Sequence, residues 1–231
     1  MKNVRVGLLG GMSYESTLKY YQLFLEKYYK KERNYSYPEI VIFSLNFQKV
    51  IDYELGNQPE EYVDYLMEGI SSLQNAGVGF IFMAANSPHA VYEDLKKLAE
   101  VPILSIVRAT AERAREENLK KLLLLGIKFT MQSTFYRDEF EKFGMKVITP
   151  SIQEQDEIDK IIFNELVIGF FKQKSKQTLL EIIEKNEVDG VILGCTELPL
   201  ILQQNDTSLR LLDTMEIHID YALKYYMSLL I

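Results

Sequence analysis

Val191-Ile192-Leu193-Gly194-Cys195-Thr196-Glu197-Leu198-Pro199 is the stretch around which the rest of the chain is read. A short apolar run empties into a glycine, the pattern of a strand buried on both faces of a parallel sheet. Open α/β sheets place their ligands in the loop beyond the carboxyl end of such a strand. Cys195, the only cysteine in the chain, stands in that loop beside a hydroxyl and a carboxylate. Two readings of it stay open here. It is a reactive thiol, or a small buried hydrophobe, because free cysteine is among the most buried residue types.

The same grammar of apolar run, glycine or small residues, then polar loop recurs on both sides. Residues 4–9 form a strand ending in Gly10-Gly11, and Ser13 caps a helix through Leu18, Tyr21, Phe24 and Leu25. Residues 40–45 form a strand that ends at Asn46. Tyr62, Tyr65, Leu66, Ile70 and Leu73 mark the next helix, and residues 79–83 a buried strand that ends in Ala84-Ala85-Asn86-Ser87-Pro88-His89. Ser87 before Pro88 is a helix start, with the helix running over 89–99. After a short strand at 103–106, the second half begins with a strand at 121–125. That strand ends at Gly126, and residues 130–136 open one following helix. Val147-Ile148 is a strand, 156–171 and 177–185 are helices, 188–193 is the strand before Cys195, and 218–230 is the closing helix.

Set side by side, the halves match. Leu8-Leu9-Gly10 with Ser16-Thr17 parallels Leu124-Leu125-Gly126 with Ser133-Thr134. The strand before Ala85-Asn86-Ser87 parallels the strand before Cys195-Thr196-Glu197. Strands alternating with helices imply βαβ units and mainly parallel sheets. The expected fold is therefore α/β, with two similar pseudo-twofold-related domains and a ligand cleft between them. The first domain is read as 1–103 with 209–231, and the second as 104–208.

Composition narrows the function. A length of 231 residues suits two domains of about 110 each, and an apolar fraction of 47% supports a real core. A net charge of −7 without a lysine/arginine block argues against nucleic acid, whose phosphates need clustered cations. One cysteine forms no intrachain disulfide, so a reducing cytoplasm is the expected compartment. The start, Met1 to Arg5, carries too short an apolar run for a signal peptide. No stretch approaches the ~20 apolar residues of a membrane helix. Two histidines and one cysteine make a Cys/His zinc site an unsuitable reading.

Gly10-Gly11-Met12-Ser13 with Ser16-Thr17, Asn86-Ser87-Pro88-His89, Thr130-Met131 with Phe135-Tyr136, Gly194-Cys195-Thr196-Glu197, and Asp213-Thr214 with His218 run from one end of the chain to the other. In these pieces the chain resembles the aspartate/glutamate racemase family. The resemblance implies cofactor-independent racemisation of an acidic amino acid or related dicarboxylate, on two α/β domains that assemble as a homodimer. It implies one cysteine per domain, on opposite faces of the substrate α-carbon, since inversion needs an acid and a base at once. It also implies donors around the substrate carboxylate that hold the carbanion. Those positions correspond here to Met12, Ser16, Thr17, Asn46, Asn86, Ser87, Thr130 and Thr196.

Other residues carry two readings. Glu165, in Ile162-Phe163-Asn164-Glu165-Leu166, resembles a racemase segment near the active site, although a solvated helix face is the default for glutamate. His218 either orients or deprotonates Cys195, or makes a structural hydrogen bond on the last helix. His89 reads as structural, in the first turn of a helix. Glu197 reads as a first-turn helix charge, and a helix starting at Thr196 would lower the thiol pKa. The tyrosines of the first helix read as packing, with a dimer surface as their other use.

One departure outweighs these. Ala85 stands where the family carries its first cysteine, and alanine carries no proton. Cys195 is then the surviving acid/base and efficient two-base racemisation is not expected. The alternatives are a single-cysteine lyase of the malonate-decarboxylase type and a non-catalytic carboxylate-binding homologue.

Overall fold

Two sheets of four parallel strands carry the chain, in a computed structural model that describes residues 4–56 and 58–230. Residues 1–3, where the signal-peptide reading begins, lie outside that description. The chain divides into two compact units, Met1–Ile106 with His218–Ile231, and Val107–Ile217.

The first unit runs β1 (Arg5–Gly10), α1 (Tyr14–Glu32), β2 (Ile40–Ser44), α2 (Phe47–Gly56), α3 (Pro59–Asn75), β3 (Val78–Met83), a 3₁₀ turn (Ser87–Val91), α4 (Tyr92–Leu98) and β4 (Ile103–Leu104). Its sheet order is β2-β1-β3-β4. The interior strands β1 and β3 bury Val6, Leu8, Leu9 and Phe80 to Met83, as strands covered on both faces must. α3 lies so close to the sheet that a Cβ on Gly69 would come within 2.5 Å of Leu9 Cδ1. The turn after β1 needs glycine for two reasons. Gly11 has φ +86°, and a Cβ there would meet the Leu45 backbone at 2.4 Å.

The second unit runs α5 (Ile106–Glu116), β5 (Lys121–Leu125), α6 (Lys128–Gln132), α7 (Phe135–Glu141), β6 (Lys146–Ile148), α8 (Ile152–Asn164), α9 (Gln173–Glu184), β7 (Gly190–Leu193), α10 (Leu198–Ile201), β8 (Arg210–Asp213) and the first turn of α11 (Thr214–Ser228), whose remainder from His218 belongs to the first unit. Its order, β6-β5-β7-β8, repeats the first. Each third strand sits beside the first with the same register at its end. Leu9 pairs with Met83 and Leu125 with Leu193. The next backbone N–H then bonds back, Ala84 N to Leu9 O at 2.9 Å and Gly194 N to Leu125 O at 2.7 Å. Ala85 and Cys195 each follow directly, so they hold equivalent places in the two sheets.

The structure moves several sequence-based boundaries. Residues 209–217, expected with the first domain, belong to the second unit because β8 pairs along the whole of β7. The single helix expected from Thr130 is two short helices, because Ser133 is extended (φ −68°, ψ 159°). The helix expected over 89–99 begins as the 3₁₀ turn, and the one expected over 156–171 ends at Asn164. Among the described residues, no helix is long and apolar enough to cross a membrane, and no three His, Cys, Asp or Glu side chains stand together as a metal group.

Candidate functional site

β7 delivers Cys195, half-buried, onto a loop that folds back on itself. The Cys195 thiol donates to Glu197 Oε2 at 3.0 Å, and the Thr196 hydroxyl donates to the same oxygen at 2.9 Å. Burial, and then the adjacent Glu197 charge, push the thiol well above its ordinary range. This reverses the expected lowering by a helix terminus. No helix begins at Thr196, and α10 is only four residues long, too short for an effective dipole. Glu197 therefore stands against the thiol as a hydrogen-bond acceptor rather than serving a long helix as a first-turn charge. A carboxylate one hydrogen bond from a thiol can take its proton, converting thiol plus carboxylate to thiolate plus carboxylic acid with no change in net charge.

The base of this loop is latched. Thr214, first residue of α11, donates its hydroxyl to Leu193 O at 2.8 Å. The buried Tyr136 hydroxyl hydrogen-bonds with Thr110 and Thr214, and burial raises its pKa. On the neighbouring loop after β5, Asp159 accepts from Lys128 N at 2.6 Å and holds the start of α6. α6 presents Thr130, whose methyl lies 3.3 Å and 3.7 Å from where a Cβ on Gly126 or Gly194 would sit. Among the described residues, Thr130 Oγ1 is the one buried side-chain polar atom without a hydrogen-bond partner. Such an orphan costs about 1–3 kcal/mol, and a ligand acceptor at that point would remove the cost. Thr130→Val is accordingly expected to leave thermal stability unchanged or higher, because it removes the orphaned hydroxyl, and thermal melting checks this.

In the first unit the expected binding residues divide. The one hydroxyl proton of Thr17 goes to Ser13 O at 2.8 Å, while its oxygen accepts from Gly11 N at 2.8 Å. Thr17 therefore clamps the loop and has no proton for a carboxylate. Ser16 is buried beside it, within hydrogen-bond distance of the Ser13 side chain. Met12 packs its side chain into the apolar core with Leu45 and Val50. Asn46 is exposed, and its Oδ1 accepts from Gln48 N at 3.0 Å at the start of α2.

Both histidines are interior and neutral. Ile106 N donates to His89 Nε2 at 3.2 Å, which leaves the proton on Nδ1 to donate to Asn86 O at 3.2 Å. Burial lowers its pKa to about 4. His218 donates from Nε2 to Leu104 O at 3.0 Å and accepts the Tyr20 hydroxyl on Nδ1 at 3.2 Å, and burial lowers its pKa to about 3. Both ring nitrogens of His218 are thus spent inside the first unit, the structural hydrogen bonding that was its second reading. Glu165 accepts from Ser175 Oγ at 2.6 Å and Lys172 Nζ at 3.0 Å, which ties the end of α8 to α9. Tyr20 and Tyr28 pack in the core, whereas Tyr14, Leu18 and Tyr21 form an exposed stripe on α1.

At the loop after β3, Asn86 and Ser87 are buried beside Ala85. Ser87 hydrogen-bonds with a buried carboxyl, Glu54, which also accepts the Tyr62 hydroxyl at 2.7 Å. Sequence reasoning missed Glu54 and the role of Glu197. The signal for Glu54 was its place on the inward stripe of α2, one turn after Val50, where an apolar residue is the rule.

The Asp/Glu/hydantoin racemase family model matches residues 9–222. The broad specificity amino-acid racemase RacX of Bacillus subtilis (strain 168) is 26% identical over 219 residues, covering 90% of this chain and 92% of that protein. An aspartate racemase homologue from Pyrococcus horikoshii OT3 superposes with a TM-score of 0.82 at 37% identity, covering 97% of this chain and 99% of the other. A Yersinia pestis structure assigned to the Asp/Glu racemases superposes with a TM-score of 0.90 at 31% identity and the same coverage.

Proposed function

Because the chain belongs to the Asp/Glu/hydantoin racemase family, we propose that it inverts the α-carbon of an amino acid, an acidic one by preference, with Cys195 as the thiol that takes and returns the α-proton. The observation that carries this reading is the hydrogen bond from Cys195 to the buried Glu197 at the end of β7. Glu197 takes the thiol proton, and the thiolate then removes the α-proton. The Cα–H bond breaks, an S–H bond forms, and the electron pair spreads from the α-carbon into the substrate carboxylate. The Thr130 hydroxyl donates to that carboxylate where charge accumulates. A proton delivered to the other face of the α-carbon completes the inversion. No step needs a cofactor.

Ala85 supplies no such proton, so turnover is slow. That residue also favours a second reading, a one-thiol lyase that protonates a single face after loss of carbon dioxide. Incubation with L-aspartate, L-glutamate and a malonate, followed by chiral chromatography and carbon dioxide detection, separates the two. D-amino acid without carbon dioxide is the expected result, and carbon dioxide from the malonate with no D-amino acid would replace the racemase reading. We also infer a homodimer, as the family resemblance implies, with the exposed Tyr14, Leu18 and Tyr21 stripe as the face available for it.

Glu197→Gln removes both the proton acceptor and the charge that raises the thiol pKa. The pH midpoint for alkylation of Cys195 should fall, because a thiolate beside a neutral amide is easier to form than one beside a carboxylate. Racemisation should nevertheless drop by about 10²-fold, because the base is gone. An unmoved alkylation midpoint would contradict the assigned role of Glu197.

A further inference from the structure

β2 ends at Ser44, and Leu45 N continues alongside β1 by donating to Gly10 O at 2.9 Å. Asn46 therefore stands just past the carboxyl edge of the first sheet, the edge at which open α/β sheets take ligands. α2 starts at the next residue and runs for ten, so its positive end opens on the same place. Three side-chain donors meet there. The Asn46 Oδ1 is spent on Gln48 N at 3.0 Å, whereas its Nδ2 protons have no acceptor among the described residues. Tyr65, on α3 and 8% exposed, accepts Asn46 N on its hydroxyl oxygen at 2.8 Å. The proton of that hydroxyl goes to no acceptor among the described residues. The Lys49 ammonium lies over the Tyr65 ring, 5.2 Å from its centroid, and has no carboxylate partner among the described residues. Asp52, the acid nearest along α2, is taken instead by Gln48 Nε2 at 2.8 Å.

This arrangement is unusual for a helix surface. A lysine three residues before an aspartate ordinarily pairs with it, and a buried hydroxyl ordinarily spends its proton. Here a cation, a phenol and an amide present donors with nothing to receive them. Their complement is an ionised carboxylate, which only accepts and which forms its strongest hydrogen bonds with charged donors. We propose that Lys49 and Tyr65, with the Asn46 amide, form a subsite for the side-chain carboxylate of an acidic amino acid or for one end of a dicarboxylate. The ammonium supplies the opposite charge, and the hydroxyl, held by Asn46 N, supplies direction. Tyr53 packs against the Tyr65 ring with centroids 5.6 Å apart and keeps it in place. A carboxamide in the same position would turn its own N–H2 group toward one of these donors, so the subsite rejects asparagine in favour of aspartate. All of its residues belong to the first unit, and the subsite does not rest on the Cys195 reading.

Amide-resolved NMR of the full chain tests this, following the Asn46 backbone and side-chain N–H resonances. L-aspartate, L-asparagine, sodium succinate and sodium chloride are titrated at matched ionic strength. L-aspartate and succinate should each shift the Asn46 resonances saturably, with asparagine at least about tenfold weaker. Lys49→Gln should weaken aspartate binding by about tenfold or more, Tyr65→Phe by about threefold or more, and Lys49→Arg by less than about threefold. Lys49 is exposed, so its variants are expected to keep the wild-type melting temperature. No saturable shift with aspartate, equal shifts with chloride, equal affinity for asparagine, or wild-type affinity in Lys49→Gln overturns the inference. None of these results bears on α-proton exchange, by which the Cys195 reading is judged separately.

Discussion

Cys195→Ser should lower α-proton exchange on the order of 10³-fold and leave the fold intact. A serine hydroxyl fits where the thiol sits and can donate to Glu197 in the same way, so the loop keeps its shape. The alkoxide is far harder to form than a thiolate, and Glu197 is too weak a base to make it. Burial and the adjacent carboxylate already oppose thiolate formation, and they oppose an alkoxide more. Exchange measured by NMR, with circular dichroism as the check on folding, tests this. A serine variant with near-wild-type exchange would mean that the α-proton is removed by another group.

Ala85→Cys should raise racemisation by about 10²-fold, the worth of one well-placed general acid. Ala85 follows β3 as Cys195 follows β7, with the same preceding backbone hydrogen bond. The second sheet accommodates a sulfur at the equivalent position, so the backbone geometry admits one. The site is buried in an apolar cluster, and the added atom should cost about 1–3 kcal/mol of stability, to be read from thermal melting. Chiral chromatography gives the rate. A gain in D-enantiomer supports a pocket kept for racemisation. A folded variant that binds the amino acid without gaining activity would argue that the pocket serves one-face chemistry.

Much of this was legible in the chain itself. The strand before Cys195 and the strand before Ala85 are short apolar runs closed by small residues, and the register places their loops in equivalent positions. The final strand was harder to read. Leu211-Leu212 is an apolar pair too short to name its partner, and only pairing with β7 assigns it to the second unit. Side-chain destinations were less visible still. Thr17 and Met12 sit in a motif that suggests ligand contact, yet one clamps its own loop and the other packs in the core. His218 follows Asp213-Thr214 as in the family pattern, but its two nitrogens are consumed by Tyr20 and Leu104. Glu197 reaches the thiol because the chain turns at 195–197 instead of entering a helix, a local conformation that periodicity does not report. Glu54 meets Ser87 across 33 positions of sequence, a contact made by tertiary packing alone.

The central claim is that the Cys195 thiol moves the substrate α-proton. Proton NMR of L-aspartate and L-glutamate with the wild-type protein in D2O addresses it directly, in paired samples with and without prior alkylation of the single cysteine. Loss of the α-proton signal, abolished by alkylation and accompanied by slow appearance of the D-enantiomer, is the predicted result. An unchanged α-proton signal in a sample where the amino acid is bound would contradict it.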